Sequence, residues 1–580
     1  MNKLTSHLRN YTKESILAPL FKMLEAFLDL LVPLVVAGII NNGIANNDTS
    51  LIIRQVMILV LLALISLVCS ITAQYFAAKA SVGFASSLRQ ALFDHILSFS
   101  YTELDTQGSS TLINRLTTDI NQVQNGLNLA LRLLLRSPFI VFGAMIMAFT
   151  IDVKCALIFL AAIPVLLAVV FGIMLVSIPL FAKVQAAADS LLSTVRENLT
   201  GVRVIRAFRK EEDEVEEFGR RNNSLTDMNL FVGRISALMN PLTYAIINIA
   251  TIILIREGAL QVQLGILKQG NVVALYNYMA QIIVELIKLA SLIITINRSL
   301  ACAGRIKDVL DIEPSMKYAS AAPSASDTEN AVVFDHVSFT YAKAGAESLT
   351  DISFTAKKGQ VTGIIGSTGS GKSSLLNLIP RFYDATSGHV LVNGADVKEW
   401  PQQELLSEIG IVPQKAVLFA GTIRDNLKWG RENATDEELM KAAELAQAKE
   451  VIEGKEGQLD YELEQNGRNL SGGQRQRLTI ARALVRNPSI LILDDSASAL
   501  DFATDAALRK ALSTLKDTTV FIVSQRASSI MHADQILVLD DGTLAGTGTH
   551  QELLASCRTY QEIYYSQFPE ERKEADDVRK

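Results

Sequence analysis

Six long apolar stretches fill the first half of the chain, and short β-rich runs fill the second. The apolar stretches run approximately over 16–40, 51–78, 131–152, 155–180, 236–262 and 271–299. Each reaches the roughly 20 residues a helix needs to cross a bilayer. Only Asp152-Val153-Lys154 separates the third from the fourth, and Asn240-Pro241 and Arg256-Glu257 interrupt the fifth. The loops near 41–50 and 152–154 are short and carry almost no positive charge. The stretches 84–125 and 182–235 are long and basic, with Arg203, Arg206, Arg209, Lys210, Arg220 and Arg221 in the second. Positive residues stay in the cytoplasm, so both long loops and both termini are expected there. Those loops read as amphipathic helix, which predicts that the spans continue beyond the membrane.

Residues 313–330 (EPSMKYASAAPSASDTEN) are rich in Ser, Ala and Pro and mark a linker. From Ala331 the pattern changes. Runs such as VVFDHVSFTY, VTGIIG, SILILDD, TVFIVS and QILVLDDG alternate with helical segments, as in an α/β domain. The expected organisation is an all-α six-helix transmembrane domain (1–312), the linker (313–330), an α/β domain (331–566) and a mostly charged tail (567–580), read as solvated. Composition agrees with a membrane part joined to a soluble part. Of 580 residues 49% are apolar, and the net charge of −6 implies no nucleic-acid partner. The four cysteines are scattered with no CxxC spacing, which suggests neither a disulfide framework nor a zinc site. No cleavable leader is apparent: residues 1–15 are polar, and the apolar segment after them carries Lys22, Glu25 and Asp29.

Candidate chemistry begins at Gly366-Ser367-Thr368-Gly369-Ser370-Gly371-Lys372-Ser373, which fits GxxxxGK[ST]. It follows the strand-like VTGIIG and precedes the helical Ser374-Leu375-Leu376. Glycines let backbone N–H groups curl around phosphate oxygens, and the helix start adds its positive end. Lys372 would reach the β- and γ-phosphates of ATP, and Ser373 would ligate Mg²⁺. A chance glycine-rich turn is a poor alternative in this strand–loop–helix context. Downstream, the apolar Ile490–Leu493 run ends in Asp494-Asp495, with Asp494 placed to hold Mg²⁺ through water. Alone, that run would be an ordinary buried strand with a polar end.

Leu470-Ser471-Gly472-Gly473-Gln474, just before this strand, closely resembles the signature motif of ATP-binding cassette proteins. The order of six spans followed by one cassette is similar to the bacterial half-exporters of the multidrug and lipid-flippase type, over nearly the whole chain. The resemblance implies further roles. Tyr341 would stack on adenine, Gln414 would sense Mg²⁺ and contact the membrane domain, and Asp501 would belong to the D-loop. Glycines before a helix start make a second phosphate site, which in this family closes on the ATP held by the opposite subunit. A dimer is therefore implied.

Two positions depart from the family's pattern. Asp495 stands where the family usually has the Glu that activates water, shorter by one methylene, about 1.5 Å of reach. Gln525 stands where it usually has the switch His; glutamine can hydrogen-bond the γ-phosphate but carries no charge. Together they suggest a site that binds ATP and hydrolyses it poorly. This resembles the degenerate half of heterodimeric exporters, in which the second half-exporter supplies the Glu and His. A slow homodimer is the rival reading, and a nucleotide-gated channel or regulator is a third. The implied activity is ATP-driven export of amphipathic drugs, lipids or peptides across the cell membrane.

Two loop segments, 97–119 and 197–218, resemble the family's coupling elements, which dock on the cassettes. Within the spans, Lys22, Glu25, Asp29, Glu285 and Lys288 are ionisable. Such groups usually face a watery interior and mark function, but structural pairing explains them equally.

Overall fold

The structure, a computed structural model, describes residues 4, 6–323, 329–496 and 498–571. Residues 324–328 of the expected linker and 572–580 of the expected tail lie outside the described residues. The chain divides into two compact units. One holds Met1–Leu97 and Ser110–Ile312, and the other Ser98–Ser109 and Glu313–Lys580.

The first unit is helical. Its main elements are α1 (Thr12–Gly38), α2 (Thr49–Leu97), α4 (Ile120–Leu133), α5 (Arg136–Ile151), α6 (Val153–Thr200), α7 (Glu211–Ala237), α8 (Met239–Gln263) and α9 (Gln269–Leu310). Among the described residues, six helical stretches are long and apolar enough to cross a membrane, from Arg9–Ile44 to Gln269–Leu310. At 1.5 Å per residue, the 49-residue α2 is about 70 Å long, more than twice a hydrocarbon core of roughly 30 Å. The helices therefore run past the membrane, as the amphipathic loops predict. Val60, Leu61, Leu64, Leu67, Val68 and Ile71 of α2 are all exposed. Such a face is stable against lipid tails and not against water. The helices meet one another through small residues, among them the fully buried Ala73, Ala77 and Ala80 of α2. In the fifth stretch the break between α7 and α8 falls at Leu238, beside the Asn240-Pro241 pair that weakens the pattern there.

The second unit contains the short helix α3 (Tyr101–Gln107) and the α/β domain. Its strands are β1 (Asn330–Phe339), β2 (Leu349–Lys357), β3 (Val361–Gly366), β4 (Ser387–Val392), β5 (Ala395–Asp396), β6 (Ile409–Val412), β7 (Gly421–Thr422), β8 (Glu462–Leu463), β9 (Ile490–Asp494), β10 (Thr519–Val523), β11 (Gln535–Asp540) and β12 (Thr543–Gly548). They form a six-stranded sheet β12-β11-β3-β10-β9-β6, a four-stranded sheet β2-β1-β4-β5 and the pair β7-β8. In the large sheet β11, β3, β10, β9 and β6 are parallel, and β12 is antiparallel at the edge. A parallel strand covered on both faces needs a continuous apolar run. VTGIIG, ILILD and TVFIV are such runs, and they are three of the four inner strands. The small sheet is antiparallel, and Phe334 stacks on its cross-strand partner Phe354 at 4.7 Å.

Candidate nucleotide site

The carboxyl ends of β3, β10 and β9 lie side by side, where ligands collect in parallel sheets. Val523 pairs with Ile364 on one side and with Asp494 on the other. From the end of β3 the chain loops through Ser367–Gly371 into α10 (Lys372–Leu378). The loop turns at Gly371, whose φ of 93° is left-handed. A Cβ there would lie 2.7 Å from the Ser348 carbonyl oxygen, so only glycine fits. Lys372 folds back over the loop, donating to the Gly366 carbonyl at 3.0 Å and the Ser367 carbonyl at 2.5 Å. Burial lowers its pKa, opposed by the facing Asp495 and Asp494.

A cavity of about 600 Å³ opens above the loop. Tyr341, Thr368, Gly369, Gly371, Lys372, Ser373, Ser374, Gln414, Asp494, Asp495 and Gln525 line it. Gly366, Ser367 and Ser370 complete the turn behind it. Tyr341 leans on Phe339 and Tyr383 (ring centroids 4.7 and 5.2 Å) and hydrogen-bonds Ser374 at 3.0 Å. That leaves an aromatic wall at one end of the cavity, suited to stacking a flat base. At the other end burial raises the pKa of Asp494, partly offset by a hydrogen bond from Ser373, with Asp495 raising it further. Burial likewise raises Asp495, against hydrogen bonding from Gln414 and the charge of Lys372. The Gln414 amide lies 3.4 Å from the Asp495 carboxylate. A hydroxyl beside two carboxylates and an amide oxygen is an all-oxygen donor set that fits Mg²⁺.

The remaining sequence-derived residues do not line this cavity. Ser471 caps α11 (Gly472–Val485) in a reciprocal box with Gln474, through bonds of 3.3 and 3.0 Å. Gly472 is exposed, and a Cβ on it would meet nothing within 4 Å. Gly473 is tighter: a Cβ on it would lie 3.2 Å from the Ala499 carbonyl oxygen. Asp501 caps α12 (Phe502–Leu512), accepting from the Thr504 amide at 2.9 Å and hydroxyl at 2.8 Å.

Two further groups attach to the site, one of them, Gln567, without a motif to announce it. Gln567, at the end of α13 (Arg558–Gln567), donates to the Gln525 carbonyl at 2.8 Å and accepts from the Ala527 amide at 2.9 Å. One side chain thus clamps the loop after β10 on both sides of Arg526. Helix α3 packs on the residues behind Tyr341: Tyr101 stacks on Phe382 at 4.5 Å, and Tyr383 donates to Asp105 at 2.6 Å. Burial and that bond raise the Tyr383 pKa. Glu103 of α3 is held below its usual range, because bonds from Ser100 and Ser315 outweigh its burial. Residues 98–109 of the first coupling segment are therefore packed against the cassette. In the second, Val204 and Phe208 are 61% and 73% exposed.

The comparisons with known proteins agree with this arrangement. Residues 15–286 match the ABC transporter transmembrane region, and 349–498 match the ABC transporter family. An uncharacterized ABC transporter ATP-binding protein of Mycobacterium tuberculosis (H37Rv) is 37% identical over 97% of both chains. The uncharacterized ABC transporter ATP-binding protein YfiB of Bacillus subtilis (strain 168) is 36% identical over 99% of this chain and 100% of its own. The "Probable multidrug resistance ABC transporter ATP-binding/permease protein YheI" of the same bacterium is 34% identical over 83% of this chain and 82% of its own. Among solved structures, a bacterial Atm1-family ABC exporter with ATP bound superposes with a TM-score of 0.78, at 23% identity, over 97% of this chain and 98% of that one. The chain belongs to the ABC transporter family. Within it, the transmembrane part is fused to an ATP-binding cassette, with the fold of the Atm1-family exporter structure.

Proposed function

We propose that the chain is the degenerate half of a heterodimeric exporter that moves amphipathic compounds across the cell membrane. One observation carries this reading: the cavity that holds the phosphate loop also holds Asp495 and Gln525, where a Glu and a His would serve hydrolysis. Tyr341, residues 366–374 and Asp494 would bind Mg²⁺ and ATP there. A partner half-exporter would bring the missing Glu and His to the second site. Ser471, Gly472 and Gly473 of this chain would complete that site from across the interface.

Several surfaces support an unfilled interface. The signature helix starts on an exposed glycine that its own chain does not require. Val204 and Phe208 of the second loop stand out, and so does the stacked pair Phe419–Trp429 (4.3 Å), with Trp429 66% exposed. Large exposed aromatics of this kind mark contact surfaces. The basic loops support cytoplasmic termini and a cytoplasmic cassette. Alternating access would then follow: ATP draws the cassettes together, the loops pass closure to the spans, and hydrolysis at the partner's site resets the pair. The multidrug name of YheI supports amphipathic cargo of broad kind. The test is steady-state ATPase and dye or peptide efflux for the chain alone and co-expressed with the half-exporter of the adjacent reading frame. The chain alone should bind ATP and turn over little, and the pair should be much faster. Brisk turnover by the chain alone would establish the homodimer instead. Nucleotide-dependent conductance without pumping would establish the channel.

A further inference from the structure

Six ionisable side chains meet inside the membrane unit: Lys22, Glu25 and Asp29 of α1, Arg136 of α5, and Glu285 and Lys288 of α9. Their charges cancel, three against three. Arg136 sits at the centre, donating to Glu285 at 2.6 Å and to Asp29 at 3.2 Å, and lying 3.8 Å from Glu25. Lys22 holds Glu25 at 2.6 Å, Lys288 lies 3.0 Å from Glu285, and Ser137 donates to Glu285 at 2.7 Å.

The three carboxylates are not equivalent. The side chains of Glu25 and Glu285 are 10% and 5% exposed, and each has a cation at 2.6 Å. They belong to the scaffold. Asp29 is 35% exposed, and its two bonds, from Arg136 and Ser66, are both 3.2 Å. It also lines both neighbouring cavities. One, of about 530 Å³, includes Arg136, Asn277, Gln281 and Glu285; the other, of about 380 Å³, includes Glu25, Ser66 and Ser70. In the larger cavity the Gln281 side-chain oxygen Oε1 and the Arg136 Nε are shut off from solvent yet have no partner among the described residues. Buried polar atoms in that state call for an occupant. Here one acceptor and one donor are waiting beside a loosely held carboxylate.

We propose that this cavity takes the head of a zwitterionic amphiphile, its ammonium on Asp29 and Gln281 and its anionic group on Arg136. The charge count selects the class. A neutral cluster in a low-dielectric setting gains an unpaired charge from a bare cation or a bare anion, and the penalty is desolvation without full compensation. A zwitterion brings one charge of each sign and leaves the count at zero. Its ammonium exchanges with the long Arg136–Asp29 contact, while the short Arg136–Glu285 bond keeps the guanidinium in place. The inference rests on the export reading and names its cargo.

Three probes of one shape test it: Phe-Phe (zwitterion), Phe-Phe-amide (cation) and N-acetyl-Phe-Phe (anion). Their binding is titrated by calorimetry on the full chain in maltoside micelles, without nucleotide. Phe-Phe should bind about tenfold more tightly than either capped form, as paired charge-assisted bonds allow. Asp29→Asn should erase that preference while ATP binding at the cassette persists. Gln281→Leu, which touches no ion pair, should weaken Phe-Phe about threefold through one lost hydrogen bond. Equal binding of the amide, an unchanged preference in Asp29→Asn, or no binding of any probe overturns the proposal. Because nucleotide and partner are absent, that failure leaves ATP-driven efflux by the pair untouched. Binding as expected, with no efflux by the pair, counts against export alone.

Discussion

The phosphate-loop face and the signature face of the cassette are built on opposite terms. At the phosphate loop the chain needs its own glycine: Gly371 has a left-handed backbone, and a Cβ would strike the Ser348 carbonyl. At the signature, Gly472 opens a helix into empty space. Glycine is a poor helix former, by about 1 kcal/mol against alanine, so its presence there gains nothing for this subunit. One face is complete within its own fold; the other, on the proposed reading, closes on a partner. The contrast teaches where a change should show: in folding and nucleotide binding at the first face, and in turnover of the assembled pair at the second.

The largest effect should come from Gly472→Asp. It sets a carboxylate where the partner's γ-phosphate would approach, and ATPase of the pair should fall about 10²–10³-fold, the scale of losing a phosphate or oxyanion donor. The melting temperature of the chain should hardly change, since the added side chain meets no neighbour. A collapse in stability with modest loss of turnover would reverse the contrast. Next comes Lys372→Ala. It removes the cation folded over the phosphate loop, and ATP affinity of the chain alone should drop about tenfold or more. Turnover of the pair should fall less than for Gly472→Asp, because the competent base stays in place.

Gln567→Leu should weaken ATP binding about three- to fivefold, as loss of two backbone hydrogen bonds frees the loop that carries Gln525. A fluorescent ATP analogue reads this directly. An unchanged affinity would show that the clamp only fastens α13. Acidity probes the same face. Burial raises the pKa values of Asp494 and Asp495, so the folded chain holds their protons more tightly than the unfolded chain does. Their burial weakens the empty fold at neutral pH, and this weakness eases as pH falls through the raised values. Mg²⁺ needs them ionised. The melting-temperature gain from Mg·ATP should therefore shrink as pH falls through the raised values; a gain that persists in acid below them would mean that neither carboxylate meets the metal. The smallest effect should belong to Asp495→Asn, less than about twofold in turnover of the pair, because removing a base matters only where it limits the rate. If this change matches Gly472→Asp, the two sites are equivalent.

Much of this was legible in the chain, for physical reasons. Strands buried on both faces must be apolar throughout, so VTGIIG, ILILD and TVFIV declared themselves. The phosphate loop has a fixed spacing because one turn of backbone must wrap one phosphate. Arg136 did not declare itself. It lies at the start of the third apolar stretch, where a cation reads as a flank snorkelling to the membrane surface. Only the approach of α1 and α9 makes it the hub of three carboxylates. Gln567 was hidden too, as the first residue of what reads as a charged tail. Its bonds run to backbone 40 and 42 residues away, and no local pattern records them. The pairing of Asp105 with Tyr383 spans 278 positions and leaves no periodicity.

The clamp at Gln567 also sets an order of events during synthesis. The parts of the nucleotide site leave the ribosome in sequence: Tyr341, the phosphate loop, Gln414, the carboxylates after β9, then the loop at Gln525. Translation supplies earlier segments first, so the segments that carry Tyr341, the phosphate loop, Gln414 and Asp494 are made before α13, whose Gln567 fastens the Gln525 loop. Only when α13 has been made and docked, with Gln567 bridging the Gln525 carbonyl and the Ala527 amide, is that loop fixed. The fastening of the Gln525 loop thus waits on the end of α13, after every strand of the large sheet has been made.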